Sequence, residues 1–189
     1  MKELIKKMIE ESIKVKESVY KDELDNIEKA AIAITSSLKK GGKLLVFGNG
    51  GSAADSQHIA AELVGRFKKE RRPFKAIALT TNTSTISALA NDYAYEITFA
   101  RQLEALGEKN DVAMGISTSG SSKNVIAAIK KARELGLKTI GLTGGDGGML
   151  KREADIAIVV GSNDTPRIQE SHIMIGHIIC ELIEEELTK

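Results

Sequence analysis

Residues Gly41 to Gly65 read GGKLLVFGNGGSAADSQHIAAELVG, and the pattern changes abruptly at the second group of glycines. The run LLVF has the continuous hydrophobicity that is typical of a strand buried on both faces. A helical pattern begins at Ser52, directly after the turn. This succession of strand, glycine turn and helix predicts the first unit of an α/β sheet.

The same alternation continues along the chain. Five short apolar strands are predicted, at Lys43–Gly48, Lys75–Leu79, Asp111–Ser117, Lys138–Thr143 and Asp155–Val160. Helices are predicted between and after them, at Ser52–Arg66, Ser84–Ala90, Phe99–Leu106, Lys123–Leu135 and Arg167–Glu186. The alternation indicates an α/β fold, a doubly wound five-stranded parallel sheet flanked by helices. We expect one domain over residues 1–189, in which two leading helices within residues 1–40 form an extension that packs on the core or on a neighbouring subunit.

Charge and composition exclude several classes of protein. Lys and Arg total 27 against 26 for Asp and Glu, and the net charge of +1 gives no overall footprint for nucleic-acid binding. No run approaches the roughly 18 apolar residues of a membrane span. The single cysteine, Cys180, lies on an apolar helical pattern and is expected to be a buried free thiol. We therefore expect a soluble cytoplasmic protein without a nucleic-acid or membrane partner.

One local exception to the balanced charge is the basic run RFKKERRP, which covers Arg66–Pro73. A run of this kind is usually a solvated loop, and a contact surface is the alternative. We expect a solvated loop.

The turn FGNGGSAAD follows the first predicted strand, and Gly48, Gly50 and Ala53 satisfy the dinucleotide pattern G-x-G-x-x-A. A dinucleotide site also needs a carboxylate at the end of the second strand, and IALTTNTS has none. The turn instead predicts backbone that approaches an anion closely, with Ser52 capping the helix whose N-terminus faces that anion. A plain strand-to-helix turn is the alternative.

The turn ISTSGSSKN follows the third predicted strand and carries five hydroxyls in the six residues from Ser117 to Ser122. Hydroxyls and free amides at the start of a helix are the donors that a phosphate monoester needs, and Lys123 adds a positive charge. A loop of solvated serines is the alternative. Because neither turn carries the lysine of a Walker loop, hydrolysis of nucleoside triphosphates is not expected.

Two helices carry polar residues where a ligand site is expected. On the helix after the first strand, Asp55, His58, Glu62 and Arg66 follow one another at helical spacing and share a face. The last helix carries a second set within an apolar pattern, Gln169, His172 and His177. Histidines, a carboxylate and an amide oxygen suit a zinc site, and they suit equally an acid–base pair that moves a proton beside a carbonyl.

Five segments together resemble the phosphoheptose isomerases of the sugar isomerase (SIS) domain superfamily: GNGGSAADSQHIAAELVGRF, ALANDY, GISTSGSSKNVIAAI, LTGGDGG and TPRIQESHIMIGHIICELIE. The resemblance covers essentially the whole chain, including the two leading helices. It implies the isomerisation of sedoheptulose 7-phosphate to D-glycero-D-manno-heptose 7-phosphate, which supplies activated heptose for cell-surface glycans. It also implies a homotetramer with sites between subunits, and one zinc ion per subunit.

The resemblance assigns a role to each matching position. Substrate-binding residues would be Asn49, Gly50, Gly51, Ser52, Glu62, Asn91, Asp92, Ser117, Thr118, Ser119, Ser122 and Gln169. Among them, Ser117, Thr118, Ser119 and Ser122 would bind the phosphate. Metal ligands would be His58, Glu62, Gln169 and His177, and the acid–base residues Glu62 and His177.

The expected mechanism takes Glu62 as the base and His177 as its partner in forming an enediol. A glutamate bound tightly to zinc is a weaker base, so zinc is either catalytic, with Glu62 changing partners, or structural or inhibitory. Two alternatives stay open: an isomerase of another phosphosugar, and a non-catalytic SIS-type module that binds sugar phosphates or regulates a partner.

Overall fold

A computed structural model describes residues 1–189, and it confirms the predicted fold class. Five strands form the sheet, at β1 Leu44–Gly48, β2 Ala76–Ala78, β3 Val112–Ser117, β4 Lys138–Gly144 and β5 Ile156–Val160. Eight α-helices surround it, at α1 Lys2–Asp22, α2 Leu24–Lys39, α3 Gly51–Val64, α4 Thr83–Asp92, α5 Thr98–Leu106, α6 Lys123–Glu134, α7 Gly148–Glu153 and α8 Thr165–Leu187.

The sheet is entirely parallel and has the strand order β2-β1-β3-β4-β5. Strand β1 therefore lies between β2 and β3, and the chain leaves it first toward one edge and later toward the other. In such a sheet ligands bind at the carboxyl ends of the two neighbouring strands between which the strand order reverses. Here those strands are β1 and β3, which pair from Leu44↔Val112 to Gly48↔Ile116.

Helices cover both faces of the sheet. Helices α1, α2, α3 and α8 pack on one face, and α5, α6 and α7 on the other. Every residue of β1 is buried, which explains its uninterrupted apolar run. Helix α6 buries Val125, Ala128, Ile129 and Ala132, the spacing of a helix with one apolar side.

Two short helices were not predicted. Tyr95–Ile97 forms a turn of 3-10 helix before α5. Helix α7 begins inside the segment LTGGDGGML, where no helix was predicted. The fully buried Leu150 holds this short helix against the sheet. A six-residue helix that starts with glycine has too little periodicity to be recognised in the sequence.

The first helix is buried only at its far end. Val19 belongs to the core, whereas a stripe of apolar side chains nearer the N-terminus is about half exposed: Leu4, Ile5, Met8, Ile9 and Ile13. Helix α2, by contrast, packs its apolar side on α8 and on the sheet. None of the helices is both long enough and apolar enough to span a membrane.

Candidate active site

Two loops meet at the carboxyl ends of β1 and β3, and both were predicted to be part of a ligand site. Residues 49–50 connect β1 to α3, and residues 118–122 connect β3 to α6. Because β1 and β3 are paired in parallel, the two loops lie side by side at the same edge of the sheet.

The β1 turn departs from the prediction at its cap. Gly50, not Ser52, is the N-cap of α3, and no side chain caps this end. Gly50 has φ +55°, a conformation that glycine adopts without strain, so the helix begins earlier than the sequence indicated. Ser52 is the second helical residue and is buried. The first-turn amides of α3 therefore have no side-chain partner from the N-cap, which is the arrangement that suits an anion.

Asn49 joins the two loops. Its amide Nδ2 donates to Asn124 Oδ1 at 2.8 Å, and its Oδ1 accepts from Asn124 Nδ2 at 2.9 Å. The Tyr95 hydroxyl also donates to Asn49 Oδ1, at 2.9 Å. Asn124 and Tyr95 were not among the predicted site residues. Asn124 lies in the first turn of α6, directly after the serines, and that position was the signal available in the sequence.

Residues Ser117–Ser122, called here the hydroxyl loop, fold on themselves. The hydroxyls of Ser117 and Ser122 are 2.9 Å apart, and Ser121 donates to Ser119 Oγ from both its amide and its hydroxyl. Gly120 has φ +63°, and a Cβ there would overlap the Gly147 carbonyl, so only glycine fits. Ser122 is the N-cap of α6 but makes no side-chain cap bond. The loop thus presents hydroxyls and a helix N-terminus to one side.

Lys123, the first residue of α6, forms an ion pair with a residue outside the hydroxyl loop. Its Nζ lies 2.9 Å from Glu96 Oε1, and its side chain is largely exposed. Lys123 is therefore not counted among the phosphate donors of the hydroxyl loop.

A cavity of about 730 Å³ lies beside the hydroxyl loop, at the carboxyl ends of β3, β4 and β5. Thr118 and Ser119 line it, together with residues that follow β4 and β5 and residues at the start of α8. None of His58, Glu62 and His177 lines this cavity. Within one chain, then, this cavity does not reach these three side chains.

His58, Glu62 and His177, called here the His–Glu cluster, come together as predicted. His58 Nε2 is 3.0 Å from Glu62 Oε1, one turn along α3, and 3.1 Å from His177 Nε2 on α8. The potential ligand atoms of all three residues lie within 4.8 Å of one another. The Phe67 ring packs beside His177, with ring centroids 5.6 Å apart. Residues that are 119 positions apart in the chain thus form one polar group.

The donor set of this cluster fits a metal ion. Zinc accepts imidazole nitrogens and carboxylate oxygens, and tetrahedral bonds of about 2 Å put neighbouring ligand atoms roughly 3.3 Å apart. The two contacts of His58 are close to that separation. Two facing imidazole nitrogens and a carboxylate oxygen are therefore able to hold a divalent cation after small movements.

Gln169 lies two turns before His177 on α8, at the other end of the contact between α3 and α8. A Cβ on Gly51 would overlap the Gln169 side-chain amide, so this amide lies directly on the first turn of α3. Asn91 and Asp92 end α4, where both are exposed and Asn91 Nδ2 donates to Asp92 Oδ1 at 2.9 Å. The structure brings Gln169 to the β1 turn and leaves Asn91 and Asp92 in contact with each other.

The remaining polar residues of the two helices have different surroundings. Burial raises the pKa of Asp55 to about 6, against the opposing effect of His58, and its Oδ2 has no hydrogen-bond partner. Burial lowers the pKa of His172 to about 4, although the Thr143 carbonyl 3.1 Å away acts in the opposite direction. His172 is therefore a neutral core residue. Arg66 lies beyond the end of α3 and pairs only at the surface, 3.8 Å from Glu70.

The basic run Arg66–Pro73 was predicted to be a solvated loop, and the structure agrees only in part. The Arg71 side chain is 3% exposed and its Nε donates to Glu184 Oε1 at 2.8 Å. Lys68 and Lys69 pair with Glu181 and Glu185 at the surface of α8. The prediction was wrong for Arg71 because nothing in a run of charges identifies a carboxylate more than a hundred residues away.

Comparisons with known proteins agree with this geometry. The SIS domain family matches residues 7–144. The phosphoheptose isomerase of Nitratiruptor sp. is 56% identical over 98% of this chain and 99% of that protein, and that of Aquifex aeolicus is 55% identical over 98% and 97%. The solved structure of the phosphoheptose isomerase from Neisseria gonorrhoeae superposes with a TM-score of 0.93, at 41% identity over 97% of this chain and 98% of that one.

Proposed function

The chain belongs to the SIS domain family and, within it, to the phosphoheptose isomerases, and from this premise we propose how it acts on its substrate. It is an aldose–ketose isomerase that converts sedoheptulose 7-phosphate into D-glycero-D-manno-heptose 7-phosphate. The product supplies activated heptose for cell-surface glycans. The names and the near-complete coverage of the relatives support this function.

The hydroxyl loop binds the phosphate of the substrate. Ser117, Thr118, Ser119 and Ser122 supply the hydroxyl donors, and the first turn of α6 supplies amides and the positive end of the helix dipole. The β1 turn, Asn49–Ser52, borders the sugar, and Asn91 and Asp92 contact its hydroxyls. Gln169 binds the substrate from α8, where its amide reaches the start of α3.

The His–Glu cluster moves the protons. Glu62 takes a proton from C1 of the open-chain ketose and returns it to C2, while His177 transfers the proton between the two oxygens. The C1–H bond breaks, a C1–C2 double bond forms in a cis-enediol, and the new C2–H bond completes the aldose. Proton transfer by a positioned carboxylate and a positioned imidazole is a common form of general acid–base catalysis.

A zinc ion would be held by His58, Glu62, His177 and Gln169. When bound, zinc acts as a Lewis acid that stabilises negative charge on the reacting oxygens. The convergence of two imidazole nitrogens and a carboxylate oxygen supports this assignment. Glu62 is the ligand whose role has to change if it also accepts the proton, since metal coordination lowers the basicity of a carboxylate.

The protein is a cytoplasmic homotetramer of single-domain subunits, each with the helical extension 1–40. Two observations support assembly: the half-exposed apolar stripe of α1, and the separation of the hydroxyl-loop cavity from the His–Glu cluster within one chain. A phosphorylated sugar is retained inside the cell, and the buried free Cys180 suits a reducing compartment.

The observation that carries the proposal is the convergence of His58, Glu62 and His177 from α3 and α8 into one cluster. The direct test is the turnover of sedoheptulose 7-phosphate, with a chelator, with added zinc and without either. Other ketose phosphates assayed in parallel identify an isomerase of another phosphosugar. Binding of the sugar phosphate without exchange of the C1 proton would instead identify a non-catalytic module.

A further inference from the structure

Helices α3 and α8 run parallel, side by side, and touch at three levels. Near their starts Gln169 lies on Gly51, and at mid-length His177 faces His58. The third level is the end of α3, where α8 presents Glu184. His177 and Glu184 are seven residues, or about two helical turns, apart and lie on the same side of α8.

At this third level Arg71 closes the end of α3. The last carbonyls of a helix have no partner within it. Arg71 Nη2 donates to the Glu62 carbonyl at 2.8 Å, and Nη1 donates to the Leu63 and Gly65 carbonyls at 2.9 and 3.1 Å. The guanidinium also stacks over the Phe74 ring, 4.0 Å from its centroid. A positive charge at this end of α3 is favoured by the helix dipole.

Glu184 fixes the guanidinium and the loop at once. Its Oε1 accepts from Arg71 Nε and from the Phe67 amide, at 2.8 and 3.1 Å, and its Oε2 accepts from the Lys68 and Lys69 amides at 2.7 and 2.9 Å. Glu184 and the Arg71 side chain are 1% and 3% exposed. Because one buried carboxylate accepts four hydrogen bonds, the end of α3 and the Glu184 turn of α8 are held in a fixed relative position.

The Arg71–Glu184 ion pair is connected to the His–Glu cluster through two sets of contacts. Arg71 holds the backbone carbonyl of Glu62 itself, and Glu184 holds the backbone amide of Phe67, whose ring packs on His177. We propose that Arg71 and Glu184 are positioning residues for the isomerase: their buried ion pair fixes the distance at which α8 presents His177 to Glu62 and His58. The inference rests on the proposed function of that cluster, and it concerns a pair that contacts neither substrate nor metal.

The test uses the full-length protein with two variants and one matched control. Glu184→Gln keeps the shape but removes the charge, and Arg71→Lys keeps the charge but loses the fork that reaches the carbonyls at the end of α3. Glu185→Gln is the control, because Glu185 is the next residue of α8 and joins the same loop through Lys69 at the exposed surface.

The first readout is the binding of Co²⁺ to chelator-treated protein, followed by its d–d absorption. Loss of an outer group that orients metal ligands typically weakens metal binding by about 10- to 100-fold. We expect a weakening in that range and an altered spectrum for Glu184→Gln and Arg71→Lys, and less than about a twofold change for Glu185→Gln.

The second readout separates kcat from KM for sedoheptulose 7-phosphate. We expect kcat to fall about tenfold in both variants while KM stays within about threefold, because the hydroxyl loop is untouched. Thermal unfolding verifies that each variant is folded, and if Glu184→Gln does not fold, Arg71→Lys decides alone. Folded variants with Co²⁺ affinity and kcat like those of the control would overturn the proposal.

The design also separates this inference from the proposed function. If the wild-type protein binds Co²⁺ but does not isomerise the sugar, the proposed function fails and the Co²⁺ titrations still decide the role of the pair. If the wild type neither binds Co²⁺ nor turns over the sugar, the His–Glu cluster has no role for the pair to support, and both proposals fail.

Discussion

The hydroxyl loop and the His–Glu cluster are built in opposite ways. The loop is one segment of six residues whose serines bond to one another across five positions or fewer. The cluster joins two helices across 119 positions, and its geometry depends on how α3 packs on α8. Local chemistry therefore fixes the first, whereas distant side chains are able to disturb the second. If the two regions are independent, a change in either should leave the function of the other intact.

The most severe test of that independence is Glu62→Gln. The amide keeps the size of the side chain but cannot accept the substrate proton, so kcat should fall by about 10³-fold. Inhibition by inorganic phosphate should stay within about threefold, because the hydroxyl loop is unchanged. Steady-state kinetics with phosphate as the inhibitor measure both quantities. Glu181→Gln, which removes an exposed carboxylate of α8, is the control, and turnover at the wild-type rate in Glu62→Gln would refute the assignment of the base.

Gly120→Ala attacks the other region. It places a Cβ against the Gly147 carbonyl in a left-handed conformation, which costs at least about 1–3 kcal/mol of unfolding free energy. We expect KM for the phosphosugar to rise more than tenfold while Co²⁺ binding persists. Urea denaturation and Co²⁺ titration provide the measurements.

Gly136→Ala is the matched control for this substitution. Gly136 has a similar φ of +75°, but nothing lies within 4 Å of the added Cβ. It should lose about 1 kcal/mol of unfolding free energy and keep its KM. Equal effects of the two substitutions on KM would show that the hydroxyl loop tolerates the clash.

Ser119→Ala sharpens the comparison with a smaller change. Removing one hydrogen bond to a charged phosphate should raise KM about tenfold, with kcat within about threefold. Ser121→Ala removes the hydroxyl donor to Ser119 Oγ but leaves the amide donor, and it should have a smaller effect on KM. Initial-rate measurements on both variants suffice, and a fall in kcat without a change in KM would place Ser119 away from the phosphate.

The smallest effect is expected from acid. Burial acts to raise the pKa of Glu184, but the amides of Phe67, Lys68 and Lys69 and the Arg71 guanidinium outweigh it and lower the pKa to about 2. Since the value in the unfolded chain is near 4.5, the stabilisation is complete above pH 4.5 and is lost as the pH falls toward 2. The thiol of Cys180, on which the charge of Glu184 acts, stays neutral throughout this range because its pKa is raised to about 12.

Tm measured between pH 6 and pH 2.5 tests this expectation. The difference in Tm between the wild type and Glu184→Gln should shrink by a few degrees below pH 4.5, at roughly 2–4 °C for each kcal/mol. A constant difference across the range would mean that folding does not lower the pKa of Glu184.

Most of the fold could be predicted from the sequence because strands buried on both faces appear as short continuous apolar runs. All five predicted strands agree with the structure to within one or two residues at each end. Helix α7 and the cap of α3 were the failures, since a very short helix has no period and the positive φ of Gly50 is invisible in the sequence. For the site, equal helical spacing predicted that His58 and Glu62 would meet. It did not predict that Arg71 would be buried, because that depends on helix carbonyls and on Glu184 at the far end of the chain.

Cys180 lies in the same seam between α3 and α8, fully buried, with its Sγ 4.0 Å from the Ile59 carbonyl. Burial, together with the charges of Glu62 and Glu184 and against that of Arg71, raises the pKa of its thiol to about 12. Thiol reagents attack the thiolate, so the side chain is inert until the two helices part. It is the only cysteine in the chain. The rate at which a thiol reagent labels it therefore reports how often α3 and α8 separate.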